Sequence, residues 1–306
     1  MSIGSKKREK ITIEKKFVRG MCLAMMAAIF WGLSGNCGQY LFTYKNIDPS
    51  WLTAVRLLVA GSFLALLTFF KGSGARNIWH DKHDLLTLVV FSIFGVAFCQ
   101  YTYLLTISYS NAGTATVLQY LGPVIVLLVT CVMAKRLPKP LEVVAIIFAL
   151  IGTLLLATHG KIGTLALAPK ALFWGLIAAV TLMIYTLLPG NLIKKYGSIP
   201  VSAYAMLISG VLFALVLRLW QWEIAWDWQM LLALSGVVVP GTMIAYLFYL
   251  KALVAIGPVK TSLFATIEPL AAVGFSALWL HTSFATADYL GLISIMLMVI
   301  LITLQK

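Results

Sequence analysis

The sequence predicts an all-α integral membrane protein, with ten transmembrane helices in two inverted five-helix repeats. Three observations predict this fold. First, 61% of the 306 residues are hydrophobic and only 11% are charged, against about 45–50% and about 25% in soluble domains. Second, ten apolar runs are long enough to span a bilayer. Third, the second half of the chain resembles the first. No basic soluble domain remains outside the apolar runs, which argues against nucleic-acid binding.

Turn-forming segments such as "NIDPS" and "KRLPKP" separate the apolar runs. A helix needs about 20 mostly apolar residues to cross the hydrocarbon core. We expect the first run to stay attached, because it is longer than the apolar region of a signal peptide. The predicted helices cover residues 18–42, 51–70, 84–107, 112–134, 141–158, 170–189, 200–219, 228–250, 259–280 and 286–304.

Basic residues predict how the chain is oriented. With a cytoplasmic N-terminus, the cytoplasmic face receives most of the 23 Lys and Arg residues, including the basic segment 1–16 and Lys71, Arg76 and Lys306. Short loops follow the positive-inside bias, so both termini are expected in the cytoplasm of a multi-pass protein of the plasma or inner membrane. The outer loops receive Lys45, Lys161, Lys170 and Arg218.

The two halves of the chain are weakly similar. "YKNIDPSWLTA" aligns with "KYGSIPVSAYA", and "YTYLLTISYSNAGTATVLQYLGPV" aligns with "LFYLKALVAIGPVKTSLFATIEPL", which places Pro123 on Pro269. Chance matching at prolines is the alternative explanation. The predicted repeats cover residues 17–158 and 170–306. Because each contains five spans, the second is upside down relative to the first, as in transporters that expose a central site to either side.

Several stretches resemble the EamA-type transporters of the drug/metabolite transporter superfamily. They are "AAIFWGLSG" in the first span, "LTAVRLLVAG" in the second, "YTYLLTISYSNAGTATVLQYLGPVIVLL" in the third and fourth, and "FYLKALVAIGPVKTSLFATIEPLAAVGFSALWL" in the eighth and ninth. The resemblance implies secondary transport of amino acids or related metabolites through a cavity among the first, third, fourth, eighth and ninth spans. The "EP" pair that is typical of the family occurs only at Glu268-Pro269, and its counterpart is Gly122-Pro123.

Polar and aromatic side chains within the spans are candidates for substrate binding. Polar groups are costly in hydrocarbon and normally face the interior of the bundle. Each one is also a candidate for hydrogen bonding between helices, which Thr, Asn and Gln often provide in membranes. The predicted substrate-binding residues are Trp31, Asn36, Gln39, Gln100, Tyr103, Gln119, Tyr120, Tyr246, Tyr249, Thr261 and Glu268.

Glu268 and Arg56 form the predicted coupling or charge pair. At 1.5 Å per residue, Glu268 lies near the middle of the bilayer, where an unpaired carboxylate costs roughly 2.5–3.5 kcal/mol. Three interpretations are open: Glu268 carries a proton or binds a cationic substrate group, pairs with Arg56, or, when protonated, caps carbonyls freed by Pro269. Arg56 extends to the membrane surface, pairs between helices, or grips a substrate carboxylate.

The remaining motifs predict neither a metal site nor a cofactor. "HDKHD" at residues 80–84 has only two histidines and no third ligand at helical spacing, and the chain has no ATP-binding motif. The predicted function is therefore secondary active or facilitative transport of a small organic metabolite, most simply export of amino acids or related zwitterions, with protons as the candidate coupling ion. The alternatives are a drug or organic-cation exporter and, in another class, a membrane enzyme or sensor; both a monomer and a dimer remain open.

Overall fold

The structure, a computed structural model, describes residues 3–70, 78–161 and 166–304. Lys71, Arg76 and Lys306, which were assigned to the cytoplasmic face, lie outside these ranges. Within them the regular structure is helical, and ten helices are long and apolar enough to cross a membrane. The predicted all-α fold with ten spans is confirmed. The spans are α1 Lys15–Lys45, α2 Pro49–Phe70, α3 Lys82–Tyr109, α4 Ala112–Met133, α5 Pro140–Thr158, α6 Pro169–Tyr196, α7 Ser198–Val216, α8 Trp228–Ile256, α9 Lys260–Leu278 and α10 Thr286–Thr303.

Two spans are longer than the sequence predicts. The helical part of α6 continues as a short segment, Gly190–Tyr196, beyond the predicted end at residue 189, and α8 continues to Ile256. Hydropathy falls where Lys194 and Lys195 begin. The helix persists there because its backbone hydrogen bonds do not require apolar side chains. The first span is likewise part of a longer helix, Ile3–Lys45.

Helices α4 and α9 are broken in the middle. The segments of α4 are Ala112–Gln119 and Gly122–Met133, and those of α9 are Pro258–Ala265 and Ile267–Leu278. Pro123 and Pro269 explain both breaks, because proline has no N–H to donate to the carbonyl four residues earlier. Irregular backbone at membrane depth is tolerated where it is buried in protein or lines a cavity.

Helices α3 and α8 carry a second irregularity, a π-helical segment in each. These segments cover Phe91–Ala97 and Val239–Ile244. The second one contains Pro240, which removes one regular helical hydrogen bond. Since π-helical turns within α-helices often occur at functional sites, the irregular spans indicate where the bundle is specialised.

The packing of the helices has the pattern expected of two related halves. Helix α2 packs on α7, and α5 packs on α10; α1 packs on α8 and α9, while α6 packs on α3 and α4. Exchanging each helix with the one five places away leaves this set of pairs unchanged. The pattern fits the predicted inverted repeat, in which the two halves share one fold and interlock.

Glycines bring α2 and α7 into close contact. A Cβ atom added to Gly61 would lie 2.5 Å from the backbone nitrogen of Leu207, and one added to Gly210 would lie 2.5 Å from that of Leu58. Leu58 and Leu207 have the same separation along the chain as Gly61 and Gly210, so the two contacts are equivalent. Small residues permit such close approach between membrane helices.

Matched ion pairs lie at opposite ends of the bundle. At the end of α1, Lys45 Nζ lies 2.6 Å from Asp227 Oδ2, and at the end of α6, Lys195 Nζ lies 2.9 Å from Asp81 Oδ2. Both aspartates are N-caps, of α8 and of α3. Hydrogen bonds from the lysines hold the pKa of each aspartate below its ordinary value of 3.8. We call these ends of the bundle the Lys45 end and the Lys195 end.

Candidate functional site

The breaks in α4 and α9 meet through Tyr120 and Glu268. Tyr120 is the residue that caps the first segment of α4, and Glu268 lies in the first turn of the second segment of α9. The Tyr120 hydroxyl donates to Glu268 Oε2 over 3.0 Å and also lies 3.2 Å from the carbonyl oxygen of Ala265. That carbonyl is the one left without its regular partner by Pro269, four residues later. One hydroxyl therefore serves both the only acid of the site and a carbonyl freed by the break.

The contacts of Tyr120 bear on one of the three interpretations of Glu268, the capping of carbonyls freed by Pro269. Sequence reasoning considered a protonated Glu268 as the cap of carbonyls freed by Pro269, whereas the side chain that reaches Ala265 is Tyr120. A hydroxyl has one proton, so Tyr120 can donate to only one of its two acceptors at a time. The arrangement can therefore respond to the protonation of Glu268.

Several predicted site residues are half-buried and contact one another across helices. The rings of Trp31 and Tyr249 lie 5.2 Å apart, and Gln119 Nε2 lies 3.7 Å from Cys99 Sγ. These contacts join α1 to α8 and α3 to α4. The half-buried group consists of Trp31, Gln100, Gln119, Tyr120, Tyr246, Tyr249 and Glu268.

Tyr246 and Gln100, two members of the half-buried group, differ in their side-chain hydrogen bonds. Tyr246 donates a short hydrogen bond to the hydroxyl of Ser202 on α7. The side-chain amide of Gln100 has no hydrogen-bonding partner in the part of the chain that the structure describes. A polar amide without a protein partner inside a membrane bundle is available to a solute or to water.

Asn36 is placed differently, in a fully buried position toward the Lys45 end. Its Nδ2 donates to the carbonyls of Gly32 and Ala272, both over 2.9 Å, and its Oδ1 accepts from Ser276 over 2.7 Å. Its amide is therefore engaged between α1 and α9. Gln39 acts similarly, because its Oε1 accepts from the backbone N–H of Ala112 over 2.8 Å at the start of α4. These contacts favour the interpretation that Asn36 and Gln39 form hydrogen bonds between helices rather than bind the substrate.

Tyr103 and Thr261 are also buried. The Tyr103 hydroxyl lies 2.9 Å from Thr116 Oγ1, which joins α3 to α4. Thr261 Oγ1 donates to the carbonyl of Gly257 in its own helix. The structure thus brings seven of the eleven predicted substrate-binding residues into the half-buried group, and places four of them in buried contacts: Asn36, Gln39, Tyr103 and Thr261.

Arg56 does not extend to the membrane surface, because its side chain is buried in the bundle with only 6% of the residue exposed. Its Nε donates to Thr242 Oγ1 over 2.8 Å, in the π-helical segment of α8. None of the ion pairs within 4.0 Å in the described ranges joins Arg56 to Glu268. Their charges are nevertheless close enough to act on each other. The direct pair considered from the sequence is thus absent from this conformation.

A model of the EamA-like transporter family matches residues 18–158 and again residues 169–304. The chain belongs to the EamA-like transporter family. Members of this family are transporters rather than enzymes, so the alternative of a membrane enzyme is set aside. The protein is a multi-pass membrane transporter, and its substrates are small molecules that cross the lipid bilayer.

Relatives within the EamA-like family cover most of the chain. It is 38% identical over 288 residues to the uncharacterized inner membrane transporter YicL of Salmonella typhimurium, across 94% of this chain and 96% of that one. It is 24% identical over 188 residues to an uncharacterized transporter of Archaeoglobus fulgidus, across 61% and 63% of the two chains. A solved crystal structure of a protein matches with a TM-score of 0.64 and 16% identity over 94% of this chain and 96% of its own, which supports the fold alone.

Sequence reasoning missed one residue that supports the site of this EamA-like transporter. Ser276, fully buried on α9, donates to Asn36 Oδ1 and holds that side chain in place. Ser276 lies eight residues after Glu268, so helical spacing places both on one face of α9 and could have identified it. A single serine in an apolar helix gives no stronger signal, because small residues are common wherever membrane helices pack.

Proposed function

We propose that this transporter carries amino acids or related zwitterions and exports them by alternating access. The observation that carries the proposal is the contact between Tyr120 and Glu268, which joins two broken helices from the two halves of the chain. Secondary transporters build substrate sites near the midplane from such discontinuous helices. The half-buried polar and aromatic side chains around this contact supply amides, hydroxyls and one acid for a small polar solute.

The distribution of burial supports an inward-facing conformation. Along α1, Asn36 and Gln39 toward the Lys45 end are buried and bonded to other helices, whereas Trp31, nearer the Lys195 end, is half-buried. Along α9, Ser276 is buried and Glu268 is half-buried. Most of the half-buried group therefore lies nearer the Lys195 end than Asn36, Gln39 and Ser276 do, and the positive-inside bias assigns that end to the cytoplasm. Export from the cytoplasm begins from such a state.

Proton coupling is the second part of the proposal. When Glu268 is ionised, it accepts the hydrogen bond of Tyr120. When Glu268 is protonated, it can donate to the Tyr120 oxygen, and the Tyr120 hydroxyl is then free to donate to the Ala265 carbonyl. Protonation thus changes a contact between the breaks in α4 and α9, at the place where rearrangement of one half against the other would act.

A drug-type or organic-cation exporter is the second candidate. The observation in its favour is the pair of rings of Trp31 and Tyr249, of which Tyr249 lies in the neighbourhood of Glu268, because aromatic faces attract quaternary ammonium groups. The buried guanidinium of Arg56 acts against it. A second positive charge near that position would be repelled unless an anionic group accompanied it.

Transport by the purified protein tests the proposal. We expect proteoliposomes that contain the chain to exchange labelled amino acids in a counterflow assay, and to accumulate them when a pH gradient is imposed. Liposomes without protein provide the control for leakage. A panel of neutral, acidic and aromatic amino acids should be compared with tetraethylammonium and ethidium. Failure to exchange any of these solutes above the control would contradict the proposed function, and exchange of the cations alone would favour the second candidate.

A further inference from the structure

We propose that Arg56 is a substrate-binding residue, and that its guanidinium receives the carboxylate of the transported solute while Glu268 receives the ammonium group. This inference rests on the proposed transport function and adds a requirement to it: the substrate carries an anionic group. It rests on the burial and bonding of Arg56.

The bonding of Arg56 is incomplete for a residue so deeply buried. A guanidinium has five N–H donors, and in the described ranges only the Nε–H has an acceptor, Thr242 Oγ1 at 2.8 Å. Buried charges are normally paired, because an uncompensated charge in a membrane bundle is strongly unfavourable. The two terminal nitrogens, with four N–H groups, are therefore available for a planar anion, and a carboxylate matches their geometry with two parallel hydrogen bonds.

Thr242 fixes the direction of the guanidinium. The Thr242 hydroxyl, in the π-helical segment of α8, donates to the carbonyl of Val237 over 2.9 Å. Val237 lies five residues earlier, just before that segment. Its proton is thereby committed, and its oxygen is left to accept from Arg56 Nε. The arginine is thus held at Nε, and its two terminal nitrogens have no hydrogen-bond acceptor in the described ranges.

The surroundings of Arg56 connect it with the half-buried group. Tyr103, Glu268 and Cys99 lie in its neighbourhood, and Cys99 is in turn the partner of Gln119. Arg56 and Glu268 attract each other but form no ion pair within 4.0 Å. A zwitterion between them would satisfy both charges and keep the site neutral. A simple organic cation would satisfy Glu268 alone and leave Arg56 unpaired.

The first test uses the wild-type protein and needs no substitution. L-Phenylalanine and L-leucine are compared with their α-amides, which keep the ammonium group and the side chain but lack the carboxylate, as competitors of whichever solute the proteoliposomes exchange. We expect at least tenfold weaker competition by the amides. Equal competition by acid and amide would overturn the inference and leave transport itself intact. Absence of exchange of every solute, cations included, would overturn the proposed function and this inference with it.

The second test uses Arg56→Gln and Arg56→Lys, with the exposed Arg218→Gln as the matched control. Arg56→Gln should lose the preference for acid over amide, Arg56→Lys should retain part of it because the charge remains without the fork, and the control should behave as the wild type. An unchanged preference in Arg56→Gln would overturn the inference. If Arg56→Gln does not fold, as judged by size-exclusion chromatography, Arg56→Lys and the wild-type comparison decide the question.

Discussion

The hydroxyl of Tyr120 donates a hydrogen bond to Glu268 Oε2 over 3.0 Å, and this contact joins the broken middle of α4 to the broken middle of α9. Both breaks follow from a proline, but only the second half places an acid beside it. The similarity of the two halves is therefore interrupted at the candidate site. A hydroxyl from one half and a carboxylate from the other form a single polar unit.

Removal of the Tyr120 hydroxyl is predicted to impair transport without unfolding the protein. Tyr120→Phe keeps the ring and deletes the hydrogen bond to Glu268, and a bond to a charged group contributes about 1.5–3 kcal/mol. We expect exchange in proteoliposomes to slow by about tenfold. Tyr109→Phe, at an exposed position, is the control and should leave the rate unchanged. Equal rates for Tyr120→Phe and the wild type would contradict a role for the contact.

Asn36 is predicted to stabilise the fold rather than to select the substrate. Asn36→Ala removes its bonds to Ala272 and Ser276 between α1 and α9, and leaving such buried groups unsatisfied costs about 1–3 kcal/mol. The melting temperature in detergent should fall, while the order of preference among solutes should not change. The exposed Asn191→Ala provides the comparison. A changed solute preference at an unchanged melting temperature would mean that Asn36 contacts the substrate.

The close contact of α2 with α7 predicts that Gly210 does not tolerate a methyl group. In Gly210→Ala the new Cβ atom would meet the backbone of Leu58 at 2.5 Å, and overpacking of this kind costs about 1–3 kcal/mol. Gly274→Ala is the matched control, because nothing lies within 4 Å of a Cβ atom there. Thermal unfolding should separate the two variants clearly. Similar melting temperatures for both would show that the helices can move apart without cost.

The ion pair between Lys45 and Asp227 is predicted to keep the Lys45 end closed. Lys45→Gln should increase the labelling of Cys37, a buried thiol near that end, by a maleimide in a Cys22→Ser background. Lys195→Gln, which removes the equivalent pair at the other end, should not increase it. Equal labelling in the two variants would contradict the assignment of each ion pair to the closure of its own end of the bundle.

The ion pair between Lys45 and Asp227 should be weakened only when the pH falls far enough to protonate Asp227. Because Lys45 lowers the pKa of Asp227, the contribution of the pair is fully present above pH 3.8, the ordinary value, and is lost as the pH falls through the lowered pKa. Cys37 labelling in the wild-type protein, divided by the labelling of a free thiol at the same pH because maleimide reacts with the thiolate, should therefore stay constant at any pH above 3.8. A rise in labelling at mildly acidic pH would indicate another titrating group.

The number and approximate limits of the ten spans could be predicted because bilayer thickness sets a length that hydropathy reveals directly. The two breaks were also within reach, since Pro123 and Pro269 mark them. The extension of α6 past Lys194 was not, because a helix outside the membrane leaves no apolar run. The π-helical segments were equally hidden, and so was the contact of Arg56 with Thr242.

The residues of the candidate site could be predicted as a set. The sequence could not separate those that bond between helices from those available to a substrate. Helical spacing placed Asn36 and Tyr120 alike on inward faces, and their different roles depend on which atoms they meet. Asn36 finds two carbonyls and a serine, whereas Tyr120 finds an acid and a broken helix. Such pairings between distant parts of the chain leave no local pattern, so the sequence alone left each residue with two roles.

The central claim is that Glu268 couples the movement of a zwitterionic solute to protons, and Glu268→Gln tests it most directly. The amide retains the shape of the side chain and an acceptor for Tyr120, but it cannot carry a proton. The measurement is amino-acid flux in proteoliposomes with and without a pH gradient, with the exposed Glu223→Gln as control. We predict that Glu268→Gln loses the gradient-driven flux while the control keeps it. Gradient-driven flux at the wild-type rate in Glu268→Gln would contradict the claim.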